Sequence, residues 1–113
     1  MKKRTSIFWV HQSVLKPEKT GEYAAWLKKY EAWTQGQAEL FKEVKSVKLL
    51  SQVIGNSMGS FLELWEFESL ADLERWLVKY SSNKEVAVWH QEWMAMIVPG
   101  TWSSSMWTLA ASK

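Results

Sequence analysis

Residues 61–77 read FLELWEFESLADLERWL. The first half alternates with a period of two: Phe61, Glu63, Trp65 and Phe67 to one side, Leu62, Leu64 and Glu66 to the other, which is a strand. From Ser69 the period changes to that of a helix. Ser69 is a suitable N-cap, with Asp72 three residues on as its capping-box partner. Leu70, Leu73, Leu77 and Tyr80 then form the expected inner stripe, with Trp76 at its margin. The strand face carries three aromatic rings and one carboxylate, Glu63. Such a face suits a packed core, an interface or the wall of a ligand cavity.

Working outward gives the remaining elements. Residues 5–12 alternate as a first strand, with Trp9 and His11 on one side and Phe8 and Val10 on the other. Pro17 then opens a helix, where its missing donor is harmless. Tyr23, Trp26, Leu27, Tyr30 and Trp33 share its inner face, while Glu22, Lys28, Lys29 and Glu31 cover the outside. Gly36 interrupts the helix, and Ala38, Leu40, Phe41 and Val44 suit a further turn or two. Residues 46–54 form the second strand, and residues 55–59 have the composition of a hairpin loop. Asn83 caps a third helix in which Val86, His90, Trp93 and Ile97 share a face. Pro99-Gly100 ends it, and residues 101–110 read as the last strand. The expected order is β-α-β-β-α-(α)-β, an α+β, ferredoxin-like domain with a four-stranded antiparallel sheet and helices on one face. Strands one and three are expected side by side and parallel. Their face with Trp9, His11, Phe61, Glu63, Trp65 and Phe67 is expected on the side away from the helices, covered by a second copy of the chain.

Composition bounds the possibilities. The chain has 113 residues, a single domain by length. A net charge of +2 with 23% charged residues makes no electrostatic claim on nucleic acid or acidic lipid. The chain has no cysteine, which removes thiolate chemistry and suits a cytoplasmic location. The apolar run 7–10 is too short for a signal peptide, and no stretch approaches the ~20 residues of a membrane span. Nine tryptophans are more than a small core hides easily, since each brings roughly 200 Å² and an N–H that needs a partner. They point to an interface or a pocket.

Val14-Leu15-Lys16-Pro17-Glu18-Lys19 entering the first helix, and Leu64-Trp65-Glu66-Phe67-Glu68-Ser69 leading into Leu70-Ala71-Asp72, resemble the antibiotic biosynthesis monooxygenase superfamily of dimeric α/β barrels. The resemblance implies a homodimer and a cavity between each sheet and its own helices or at the barrel ends. Among heme-degrading members a helical Trp falls on Trp76, and an iron-ligating His on His90. Their strand-one Asn falls on His11, which disfavours heme as cofactor. Cofactor-independent members oxidise polycyclic phenols in an apolar pocket, and Trp65 falls on a cavity Trp of that pattern. The resemblance thus implies a cofactor-independent monooxygenase acting on a small aromatic substrate. A non-catalytic dimeric binding or structural protein of the same fold is the alternative.

The residues themselves add His11 as a candidate base with its tautomer set by Glu63, with Trp9 and Phe61 on the same strand face; Trp65, Trp76 and His90, implied by the resemblance, complete the expected substrate wall. Either a catalytic or a structural role requires Glu63 to be paired. Two histidines without ligand spacing give no metal site. An RNA recognition motif shares the element order, and Ile7-Phe8-Trp9-Val10 resembles its first motif. Strand three, however, lacks the basic residue, and Glu63, Glu66 and Glu68 would repel phosphate.

Overall fold

A computed structural model describes residues 6–55 and 59–109. Strand β1 (Ile7–Val14) leads through a 3₁₀ turn (Pro17–Lys19) into helix α1 (Thr20–Gln35). Strands β2 (Val44–Ser51) and β3 (Ser60–Phe67) follow, then helices α2 (Leu70–Ser82) and α3 (Lys84–Met96) and strand β4 (Ser103–Thr108). The sheet order is β2-β3-β1-β4 with every pair antiparallel. This is the expected α+β, ferredoxin-like architecture. Of the loop expected at 55–59, residues 56–58 lie outside the described residues, as do Thr5 and Ala110.

Two expectations about the sheet are corrected. Strands β1 and β3 are antiparallel, with His11 opposite Glu63 and Trp9 opposite Trp65. The short β2–β3 connection forces those two strands to run oppositely, and the α1 crossover makes β1 and β2 run the same way. A β3 inserted between them is therefore antiparallel to both. The second correction concerns the faces. Trp9, His11, Glu63, Trp65 and Phe67 do share a side, but it is the side the helices cover. Phe67 and Trp65 are buried against Leu73 and Trp76 of α2. The face away from the helices carries Phe8, Val10, Leu62, Leu64 and Trp107 instead. The larger rings need the deeper cover, and a helical layer supplies it.

Local signals explain the ends of the elements. Ser69 Oγ accepts from the Asp72 amide at 3.2 Å, but the Asp72 carboxylate turns to Arg75 rather than back to the cap. Asn83 Oδ1 accepts from the amides of Glu85 and Val86 at 2.9 and 3.0 Å, closing the N-terminus of α3. Val98-Pro99-Gly100-Thr101 is a turn closed by a 3.2 Å bond from the Thr101 amide to the Val98 carbonyl, with Gly100 at φ +81°. That φ is why glycine follows the proline. Within α2, Trp76 is fully buried while Leu70 is half exposed, the reverse of the expected arrangement. Strand β2 also ends earlier than expected, leaving Val53 and Ile54 exposed.

The core is two clusters under the helices. Leu15, Tyr23, Trp93, Met96 and Ile97 form one. Trp65, Phe67, Leu73 and Trp76 form the other, flanked by Ile7, Trp9, Phe41, Leu77 and Tyr80. Among the described residues no helix is long and apolar enough to cross a membrane.

Candidate functional site

A cavity of about 450 Å³ lies between the two core clusters and is lined from both. Its size falls within the roughly 300–1,000 Å³ of small-molecule sites. Strand β1 contributes Trp9 and His11, and β3 contributes Glu63 and Trp65. Helix α1 presents Tyr23, Trp26 and Tyr30 along the stripe that its 3.6-residue period creates. Tyr80 comes from α2, Trp89, His90 and Trp93 from α3, and Trp102 from the connection before β4. Six of the nine tryptophans thus line one space, which accounts for much of the excess.

The rings brace one another. Trp26 stacks on Tyr30 at 5.1 Å, and Trp89 stands nearly perpendicular to both. The indole N–H of Trp26 donates outward to Glu92 at 3.2 Å, and that of Trp33 to Glu85 at 3.2 Å. Across the cavity roof the Tyr30 and Tyr80 hydroxyls are hydrogen-bonded at 2.9 Å, tying α1 to α2. Burial raises the pKa of Tyr23 and Tyr30 and pushes Tyr80 up to about 12, so all three are neutral phenols at neutral pH.

His11 and Glu63 face each other as direct cross-strand partners, yet no hydrogen bond or ion pair joins the two described side chains. The expectation of a bonded pair is corrected here. The His11 ring leans onto Trp9 at 3.9 Å and toward Trp102 at 5.3 Å. The Glu63 carboxylate turns along its own strand and accepts from the Trp65 indole at 3.0 Å. Each is therefore supported by aromatic neighbours. Burial, and then the charge of His90, lowers the His11 pKa to about 4. Burial raises that of Glu63, offset in part by the Trp65 N–H. Both shifts favour the uncharged forms, which weakens the drive toward an ion pair between them.

The structure divides the expected wall. Trp9, His11, Glu63, Trp65 and His90 line the cavity, with His90 at its exposed margin. Phe61 does not line it and packs on Tyr23 at 5.2 Å. Trp76 lies behind the wall, against Trp9, Trp65 and Tyr80. The sequence reading missed Tyr23, Trp26, Tyr30, Tyr80, Trp89, Trp93 and Trp102 as lining residues. The helical ones carried a signal, because their stripes were legible as inward faces. Trp102 carried none. No group of three or more His, Cys, Asp or Glu that could hold a metal ion occurs among the described residues.

The His11 shift predicts an acid sensitivity. Its folded pKa, about 4, lies below the ordinary 6.5. Below pH 6.5 the unfolded chain therefore takes up the proton first, and stability falls as pH drops toward 4. The loss is on the order of 3 kcal/mol at its full extent. Glu63 acts in the opposite sense, since its raised pKa favours the folded state on acidification. Denaturant titrations of wild type and His11→Gln at pH 7 and pH 4 should show a smaller acid loss in the variant. Equal losses would mean that His11 is not held neutral by the fold.

No protein-family model matches the chain, and no curated protein matches it. Among solved structures, a NIPSNAP family protein of Agrobacterium tumefaciens aligns with a TM-score of 0.66 at 17% identity, covering 95% of this chain and 93% of that one. A second NIPSNAP family protein from that organism, of unknown function, gives 0.72 at 12% identity over 96% and 92%. A dimeric ferredoxin-like protein of unknown function from Bacteroides fragilis gives 0.62 at 8% identity over 92% and 96%. At these identities the likeness is one of fold. It supports the ferredoxin-like architecture, and none of the three is described as a monooxygenase.

Proposed function

We propose that this chain is a homodimeric protein that binds a small, flat, mostly apolar aromatic molecule in the cavity between its sheet and its helices. The observation that carries this reading is the wall itself. Six tryptophans and three tyrosines converge on one space with a single histidine–glutamate pair opposed on its floor. Rings supply burial and stacking, while His11 and Glu63 give a ligand hydroxyl or carbonyl a fixed acceptor and donor. Solved structures of the same fold include two proteins of unknown function. Dimerisation is supported by the helix-free face, where Leu50, Trp107 and Leu109 remain 47%, 60% and 45% exposed. The Bacteroides fragilis neighbour, described as dimeric, supports it too.

A catalytic reading, cofactor-independent oxygenation of a phenol, is favoured by one observation: a desolvated carboxylate sits on the wall of an aromatic cavity. The shifts move the base role within the pair. A phenol of pKa about 10 would give its proton to a His11 of pKa about 4 only uphill, by roughly 8 kcal/mol. Burial shifts the two groups oppositely, lowering the proton affinity of His11 and raising that of Glu63, so the base role falls to Glu63. The proposal includes no heme. The cavity wall has no Lys or Arg to meet heme carboxylates, and Glu63 would face them unfavourably.

Binding is testable with 2-naphthol as a neutral flat probe. Titration should quench the intrinsic tryptophan fluorescence along a saturable curve, with Kd between micromolar and low millimolar. Quenching that stays linear to the solubility limit would set the proposal aside.

A further inference from the structure

Glu63 is a carboxylate without a counter-charge. The ionisable side chains on the cavity wall are His11, Glu63, His90 and the three tyrosines, and no Lys or Arg lies among them. The hydrogen bond that Glu63 accepts comes from a neutral donor, the Trp65 indole. No ion pair between described residues reaches it; the nearest acid on its strand with a lysine, Glu66, pairs with Lys45 at 3.7 Å on the opposite side of the sheet. A carboxylate in such a place costs several kcal/mol unless something compensates its charge.

The surroundings are of the kind that compensates a charge of one sign. Aromatic rings attract cations through their quadrupoles, and the attraction grows as water is excluded. Glu63 shares the cavity wall with Trp9, Tyr23, Tyr30 and Tyr80, while Trp65 turns its N–H edge to the carboxylate and packs against Phe41 and Trp76. Tyr30, hydrogen-bonded to Tyr80, brings the α1 rings to the other side. An acid on a wall made largely of aromatic rings suits an organic cation.

We infer that the cavity selects a ligand bearing a small organic cation, a quaternary or protonated amine, held by the rings with its charge against Glu63. This deepens the reading of the cavity as an aromatic-ligand site and rests on it: the ligand's apolar part fills the space between the helices, and its cationic end meets β3. It also gives the acid a role that the His11 geometry does not, since His11 and Glu63 are opposed without being bonded. Burial favours the protonated form of Glu63, and a cation beside it favours the charged one.

The test compares two probes of nearly one shape, benzyltrimethylammonium and neopentylbenzene, which differ by a charge. With wild-type protein at pH 8, calorimetric titration should show the cation binding at least about tenfold tighter than the hydrocarbon. Glu63→Gln, which keeps the shape and the acceptor for the Trp65 N–H, should lose most of that preference while still binding neopentylbenzene. Equal affinities in wild type, or a preference unchanged in Glu63→Gln, would overturn the cation assignment and leave the aromatic site standing. Binding of neither probe to folded protein would overturn both readings. The wild-type comparison decides even if Glu63→Gln does not fold.

Discussion

Trp76→Ala should destabilise the protein by about 3–5 kcal/mol, the usual loss for a fully buried large ring. Trp76 has no solvent exposure, and it contacts Trp9, Trp65, Phe67 and Tyr80 at centroid distances of 4.4–5.3 Å. From α2, which also carries Tyr80, it supports the strands that carry His11 and Glu63. A loss of that size is a large part of a stability of roughly 5–15 kcal/mol and should lower the melting temperature by about 15–30 °C. The indole N–H of Trp76 is buried without a hydrogen-bond partner, so Trp76→Phe forfeits ring volume but no bond. It should cost less than half as much. Calorimetric melting of the two variants separates packing from hydrogen bonding. Similar losses in both would mean that an unseen partner holds the N–H.

Val10→Asp should convert the proposed dimer to monomer. Val10 sits centrally on the helix-free face, between Leu64 of β3 and Ser105 of β4. Its neighbours Phe8, Leu62 and Trp107 complete an apolar surface that no helix covers. Packed against a second copy, an aspartate there would be a buried charge with no partner, costing about 3–5 kcal/mol and weakening association by about 10²–10⁴-fold. Sedimentation at micromolar concentration should give about twice the 13.2 kDa chain mass for wild type and the chain mass for Val10→Asp. Circular dichroism should be alike for both. A wild-type monomer would leave the apolar face without the cover assigned to it.

Much of this architecture was legible in the sequence for identifiable reasons. Alternation in residues 61–67 places Glu63 with Trp65 and Phe67, and the same parity places His11 with Trp9; the antiparallel register then sets His11 opposite Glu63. Periodicity does not say which layer covers a face, and here both faces are apolar: Phe8, Val10, Leu62 and Leu64 on one, the larger rings on the other. The helices cover the larger rings, and the helix-free side went to the smaller residues. Strand direction followed from chain connectivity, which side-chain patterns do not encode. Trp76 lies three residues beyond Leu73 and so falls on the same stripe. Its burial over Leu70 depends on where α2 sits on the sheet, a tertiary fact. A shared face for His11 and Glu63 on neighbouring strands was legible; their antiparallel opposition and lack of a bond were not, the latter because it follows from where each side chain leans: His11 onto Trp9, Glu63 toward Trp65. Tyr23, Trp26 and Tyr30 read as an inward stripe, and a core stripe and a cavity wall have the same period.

The central claim, an aromatic molecule held between sheet and helices, is tested most directly by the nine indole N–H resonances of ¹⁵N-labelled protein during titration with 2-naphthol. The signals of Trp9, Trp65, Trp89 and Trp102, which line the cavity, should shift together along one saturable curve. That of Trp107, on the helix-free face, should stay in place. Shifts confined to Trp107, or none at any tryptophan, would contradict the assignment of this cavity as the binding site.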